Sequence, residues 1–141
     1  MNKVSLKVLV VDDEPDVAKY LSMILQANGY VSKVAGNVSD GLEMVNDFKP
    51  DLVCLDIMMP KDSGISMYRE LRENILTKHI PVIIISGAEQ EQKFNFRTYL
   101  PDESIPEPEC YMEKPVDVEK YLAMIEQLTG GDSIDKKGGN K

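Results

Sequence analysis

Five short apolar runs, at about 6–12, 30–35, 51–56, 81–86 and 109–112, alternate with helical patterns at about 15–28, 39–48, 64–76, 88–99 and 117–128. A repeated βα rhythm implies a parallel sheet with helices on both faces, because parallel neighbours need a crossover between them. Leu9-Val10-Val11, Leu52-Val53-Cys54-Leu55 and Val82-Ile83-Ile84-Ile85 are continuously apolar rather than alternating, as strands covered on both faces must be. The pattern therefore predicts a doubly wound α/β domain.

What ends each run is as informative as the run itself. The first ends on Asp12-Asp13, the third on Asp56 and the fourth on Ser86, while Cys110-Tyr111-Met112 comes just before Lys114-Pro115. In open parallel sheets the carboxyl ends of the strands lie along one edge, and ligands bind there at the topological switch point. Three carboxylates, a hydroxyl and an ammonium are thus expected in one cleft, a set suited to magnesium-dependent phosphoryl chemistry. Taken singly, each residue has a plainer reading. Asp12-Asp13 can cap a helix, Lys114 can be a solvated lysine, Ser86 a turn residue and Tyr111 half-buried strand packing. Their shared position at strand ends is what favours a site.

Local punctuation agrees with these limits. Pro15 suits a first helical turn, Val17, Leu21, Ile24 and Leu25 recur at helical spacing, and Gly29 offers a left-handed stop. Asp117 can cap the last helix, with Val116 and Tyr121 placed as a hydrophobic staple and Gly130-Gly131 as its end. With 141 residues, one domain over 1–128 and a polar, glycine-bearing tail over 129–141 are expected. The net charge of -8 and the scattered Lys and Arg argue against direct nucleic-acid binding. No stretch reads as a signal peptide or membrane span, so a cytoplasmic location is expected, with no membrane partner. Cys54 and Cys110 sit in apolar runs without metal-ligand spacing and read as buried reduced thiols. His79 reads as a surface turn residue, and Met23, Met44, Met59, Met67 and Met124 as core filling.

Asp12-Asp13, Asp56, Ser86 and Lys114-Pro115, with Asp56-Ile57-Met58-Met59-Pro60 followed by Gly64, closely resemble the receiver domain of two-component response regulators, over residues 6–128. The resemblance implies a flavodoxin-like, five-stranded sheet of order 2-1-3-4-5. It implies that Asp56 is the phosphoacceptor, taking a phosphoryl group from a sensor histidine kinase or a histidine phosphotransfer protein. Asp13, Asp56 and the Met58 backbone carbonyl would hold Mg²⁺, with Asp12 acting through bound water. Lys114, aimed into the cleft by a cis bond to Pro115, would neutralise phosphoryl charge, Ser86 would donate its hydroxyl, and Tyr111 would be the aromatic switch residue. Such a protein is no enzyme in the ordinary sense, catalysing only its own phosphorylation and dephosphorylation. It would signal through an unidentified downstream protein. Two carboxylates about 4 Å apart repel by roughly 4 kcal/mol at an effective dielectric near 20, a repulsion that a divalent ion and Lys114 would cancel.

The chain also departs from that pattern. Residues 101–109, Pro-Asp-Glu-Ser-Ile-Pro-Glu-Pro-Glu, carry three prolines that forbid a continuous helix, so helix 4, with Phe94, Phe96 and Tyr99, is expected to be short or displaced. Met58 and Ala88, two residues beyond Asp56 and Ser86, cannot orient water by a hydrogen bond, so a long-lived phosphoryl group is expected. No output-domain signature follows residue 128, which points to action by protein contact. Two other functions compete with this reading. A haloacid-dehalogenase-like phosphatase would place a second acid where this chain has Met58, and would carry a cap insertion. A phosphorylation-independent interaction module usually lacks acidic-pocket residues that this chain retains.

Overall fold

The computed structural model describes residues 5–57, 64–87 and 96–130. The chain runs β1 (Lys7–Val11), α1 (Pro15–Ala27), β2 (Val31–Ala35), α2 (Val38–Phe48), β3 (Leu52–Asp56), α3 (Gly64–Glu73), β4 (Val82–Ser86), α4 (Phe96–Tyr99), β5 (Cys110–Glu113) and α5 (Val118–Thr129). The strands form one sheet in the order β2-β1-β3-β4-β5, and each adjacent pair is parallel. This is the expected doubly wound fold. After β1 the chain moves outward to β2 and then returns to place β3 on the other side, so the switch point lies between β1 and β3.

Burial follows position in the sheet. Every residue of β3 and β4 is buried, as is β1 after Lys7, whereas the edge strands β2 and β5 are only partly covered. Successive strand residues point to opposite faces, and two apolar cores result. Leu9, Val11, Val53, Leu55, Val82 and Ile84 pack with Val45 of α2 and Met67, Tyr68 and Leu71 of α3. On the other face Val8, Val10, Leu52, Cys54, Ile83 and Ile85 pack with Ala18, Leu21 and Leu25 of α1 and with Tyr121 and Ile125 of α5. Each fully buried Val, Leu, Ile or Met among them contributes about 1.5–3 kcal/mol through burial.

The helix limits have local causes. Pro15 opens α1, and Gly29 just beyond it has φ +93°. Asp117 accepts a hydrogen bond from the Lys120 amide at 3.2 Å, and Val116 joins the core cluster of Tyr121. Gly130 closes α5 in the left-handed conformation. The third helix ends at Glu73 rather than near 76. Asn74 Oδ1 accepts from the Leu76 amide at 2.8 Å and the Thr77 hydroxyl donates to the Leu71 carbonyl at 2.7 Å, so turn chemistry displaces helix propagation. His79 is exposed in the turn that follows, as expected.

Other expectations need correction. Met67 is fully buried and Met44 and Met124 partly so, but Met23 is 57% exposed on the outer face of α1. Met59 lies outside the described residues. Both cysteines are free, but Cys110 is only partly buried, because β5 is an edge strand. Residues 88–95, including Phe94, lie outside the described residues, and α4 within them is four residues long.

The segment 100–109 is not helical, as its prolines require, yet it is held by arginines. Arg97 donates to the carbonyls of Leu100, Asp102 and Ile105 at 3.3, 2.8 and 2.8 Å. Arg72, with a side chain 3% exposed, donates to the Ile80 carbonyl at 2.7 Å and to Glu109 Oε1 at 2.9 Å. The Tyr68 hydroxyl donates to the Pro106 carbonyl at 2.5 Å. The segment is thereby fastened to α3 and to the start of β4. The tail beyond residue 130 lies outside the described residues, and no helix among those described is long and apolar enough to cross a membrane.

Candidate functional site at the carboxyl edge of the sheet

Parallel register puts the acidic residues side by side. Val11 is level with Leu55, so Asp12 follows β1 at the level where Asp56 ends β3. Asp56 in turn faces Ile85, one residue before Ser86, and Ser86 faces Glu113, one residue before Lys114. Four strands therefore deliver their polar ends to one edge without any contribution from long loops. Gly64, at the start of α3, packs so closely that a Cβ there would run into the Asp56 carbonyl oxygen. That approach explains why a residue without a side chain opens this helix beside the site.

Carboxylate oxygens of Asp12, Asp13 and Asp56 lie within 4.8 Å of one another. Asp12 and Asp56 are 2% and 3% exposed, while Asp13 is half-buried at the rim. Asp12 Oδ1 also accepts the Glu14 amide at 2.9 Å, so the first carboxylate braces the entry to α1 as well as facing the cleft. Lys114 Nζ reaches Asp12 Oδ2 at 3.0 Å and Asp56 Oδ2 at 3.6 Å. Its backbone is set by a hydrogen bond from its amide to the Ser86 carbonyl at 2.8 Å, and the Lys114–Pro115 bond is cis. Burial on its own lowers the Lys114 pKa, but hydrogen bonds to Glu14 and Asp12 and the nearby Asp56 charge outweigh it and raise it well above the ordinary lysine value. The ammonium is firmly cationic.

Three carboxylates with one ammonium among them form a hard, oxygen-rich donor set in excess negative charge. That chemistry fits a small divalent cation, which binds through one or two carboxylates and keeps the rest of its shell for waters and phosphate oxygens. The Met58 carbonyl, expected as a further ligand, lies outside the described residues, and so does Ala88. Ser86 is 5% exposed at the end of β4. Tyr111 stands on β5 level with Ile84, is 41% exposed, and has its ring centroid 6.3 Å from that of Phe96.

Two contacts escape a reading of strand ends alone. Glu14, the residue before Pro15, receives Lys114 Nζ at 2.9 Å and is thus a third acid on the lysine. Its position directly after Asp12-Asp13 was the available signal. The Tyr111 hydroxyl donates to Glu107 Oε1 at 3.2 Å, a contact made by the proline-rich segment. Burial first, and Glu107 second, raise the Tyr111 pKa above the ordinary phenol value.

Residues 8–126 match the family model of the response regulator receiver domain. Protein PilH of Pseudomonas aeruginosa is 33% identical over 127 residues, which cover 89% of this chain and 98% of PilH. The DNA-binding dual master transcriptional regulator RpaA of Synechocystis is 31% identical over 124 residues, 86% of this chain but 48% of RpaA, so the chain spans about half the length of that relative. The crystal structure of a CheY-like response regulator receiver domain protein from Methanospirillum hungatei aligns with a TM-score of 0.77 at 20% identity, covering 96% of this chain and 100% of that one, a likeness of fold.

Proposed function

The chain belongs to the response regulator receiver domain family, signalling switches of phosphorelay pathways, and from that premise we propose that Asp56 is its phosphoacceptor. The observation that carries this reading is the position of Asp56, 3% exposed, with oxygens within 4.8 Å of those of Asp12 and Asp13 and 3.6 Å from the Lys114 ammonium. The donor is a phosphohistidine on a sensor kinase or on a histidine phosphotransfer protein. An Asp56 carboxylate oxygen forms the bond to phosphorus while the phosphorus–nitrogen bond breaks, and the bonding electron pair leaves with the imidazole. The carboxylate attacks as an anion and has no proton to lose.

Asp13 and Asp56, with the Met58 carbonyl, would hold Mg²⁺, and Asp12 would act through a bound water. Bound there, Mg²⁺ supplies positive charge to the transferring oxygens. Lys114, with its ammonium 3.6 Å from Asp56, carries the protein's own share of that neutralisation. Ser86 donates its hydroxyl to a phosphoryl oxygen, and Tyr111 follows by turning inward behind it. A shift from 1:99 to 99:1 in favour of that arrangement requires about 5.5 kcal/mol of differential stabilisation. The chain catalyses only its own phosphorylation and dephosphorylation, acts in the cytoplasm through an unidentified protein partner, and binds neither nucleic acid nor membrane directly. Residues 1–128 form the receiver unit and 129–141 a polar tail.

Incubation with acetyl phosphate and Mg²⁺, followed by intact-mass analysis, tests this reading. One added phosphoryl group is expected, labile to hydroxylamine and lost in Asp56→Asn. Full incorporation in that variant, or none in the native protein, would contradict it.

A further inference from the structure

We infer that Glu107 is a positioning residue that latches Tyr111 in its outward orientation and thereby opposes activation of the site. The inference rests on the reading of Asp56 as phosphoacceptor and of Tyr111 as the residue that follows it. The Tyr111 hydroxyl donates to Glu107 Oε1 at 3.2 Å, and Arg97 Nε stands 3.7 Å from Glu107 Oε2. One carboxylate thus ties β5 to α4, the element that follows the Ser86 strand.

The latch is held by its surroundings rather than by the exposed carboxylate alone. Pro106 and Pro108 flank Glu107 and restrict its backbone. The Pro106 carbonyl is fixed by Tyr68, the Ile105 carbonyl by Arg97, and Glu109 by both Arg72 Nη2 and the Val82 amide at 2.9 Å. Less backbone freedom remains to be lost when Glu107 bonds the phenol, so the bond retains more of its strength than a surface contact between two mobile segments. Tyr111 cannot move toward Ser86 without breaking it. The proline-rich segment therefore acts as a strut that sets how readily the site switches.

The test uses the full chain, with Glu107→Ala, Tyr111→Phe and the double variant Glu107→Ala/Tyr111→Phe. Beryllofluoride with Mg²⁺ serves as the phosphoryl mimic, and its binding midpoint is followed by calorimetry. Each single variant is expected to bind about three- to tenfold more tightly than the native protein, and the double variant no more tightly than either single one, as for two ends of one interaction. Equal affinity in Glu107→Ala and native protein, or additive gains, would overturn the latch. A second readout is independent of Asp56: the ring-carbon Cζ resonance of Tyr111 in tyrosine-labelled protein, assigned by its loss in Tyr111→Phe. It is expected to move toward that of exposed Tyr20 in Glu107→Ala. An unmoved resonance overturns the latch even if the mimic binds. Failure of the native protein to bind the mimic, with the resonance moving as expected, would instead defeat the phosphoacceptor reading and leave the Glu107 contact standing.

Discussion

Lys114 Nζ lies closer to Glu14 Oε1, at 2.9 Å, than to Asp56 Oδ2, at 3.6 Å. To meet a phosphoryl oxygen on Asp56 the ammonium must loosen its hold on a rim carboxylate. Glu14 is 59% exposed, and an ion pair of that kind is worth no more than about 1 kcal/mol. Glu14→Gln should therefore speed phosphorylation by acetyl phosphate about two- to fivefold at low salt, with the difference shrinking as salt is added. Time courses on Phos-tag gels check this. A slower variant would mean that Glu14 aims the lysine rather than restrains it.

Lys114→Ala should destabilise the resting protein, because it leaves Asp12 and Asp56 buried with the ammonium that pairs with both removed. A loss of about 1–3 kcal/mol is expected at neutral pH, with Mg²⁺ at millimolar concentration recovering more stability in the variant than in the native protein. Thermal melts with Mg²⁺ and with EDTA decide it. The raised pKa of Lys114 also fixes a sign. Its stabilisation is complete below the unfolded lysine value of about 10.4 and fades as pH rises through the higher folded one. Native protein and variant should therefore converge in stability at strongly alkaline pH.

A separate pH dependence belongs to Cys54, whose thiol burial pushes up to about 12, against partial relief from Tyr121. The folded state keeps this proton after the unfolded chain, with an ordinary thiol value of about 8.5, has lost it. Stability is then fully present below that lower value and falls as pH rises above it, by about 1.4 kcal/mol per pH unit for the one proton. Urea midpoints between pH 8 and 10 should fall more steeply in the native protein than in Cys54→Ala. Parallel slopes would show that another group dominates there.

The fold and the acidic site were legible because both depend on a repeat that the sequence displays. Each βα unit has its own periodicity, and parallel register converts the residue after each apolar run into a neighbour of the next. Asp12, Asp56 and Lys114 meet because Val11 is level with Leu55 and Ser86 with Glu113. What could not be read depends on side chains meeting across loops. Arg72 sits four residues after Tyr68 on the buried face of α3, and only the folded chain shows that Glu109, far along the sequence, closes onto it. The prolines of 101–109 announced where a helix had to stop, but not that Arg69, Arg72 and Arg97 would pin the segment that replaced it. Met23 was misplaced for a related reason: helical periodicity marks an apolar stripe, and one residue at its edge can still face solvent.

That contrast between arginines yields the last prediction. Arg72 has a side chain 3% exposed, donates to the Tyr68 hydroxyl, the carbonyls of Lys78 and Ile80 and the Glu109 carboxylate, and lies with its guanidinium 4.8 Å from the Tyr68 ring centroid. Arg69, on the same helix, pairs with Glu73 and Asp102 in a position 42% exposed. Removing a buried donor strands its acceptors without water, whereas removing an exposed one returns them to solvent. Arg72→Ala should therefore cost about 3 kcal/mol and Arg69→Ala less than about 1 kcal/mol, measured as urea midpoints. Because Glu109 and Pro106 are both anchored through this cluster, Arg72→Ala should also free the 100–109 segment. Faster amide exchange at Ile105, Glu107 and Glu109 should accompany the loss of stability, well before global unfolding. Equal costs for the two substitutions, or protection of 105–109 unchanged in Arg72→Ala, would show that the segment is held by its prolines and not by the arginine.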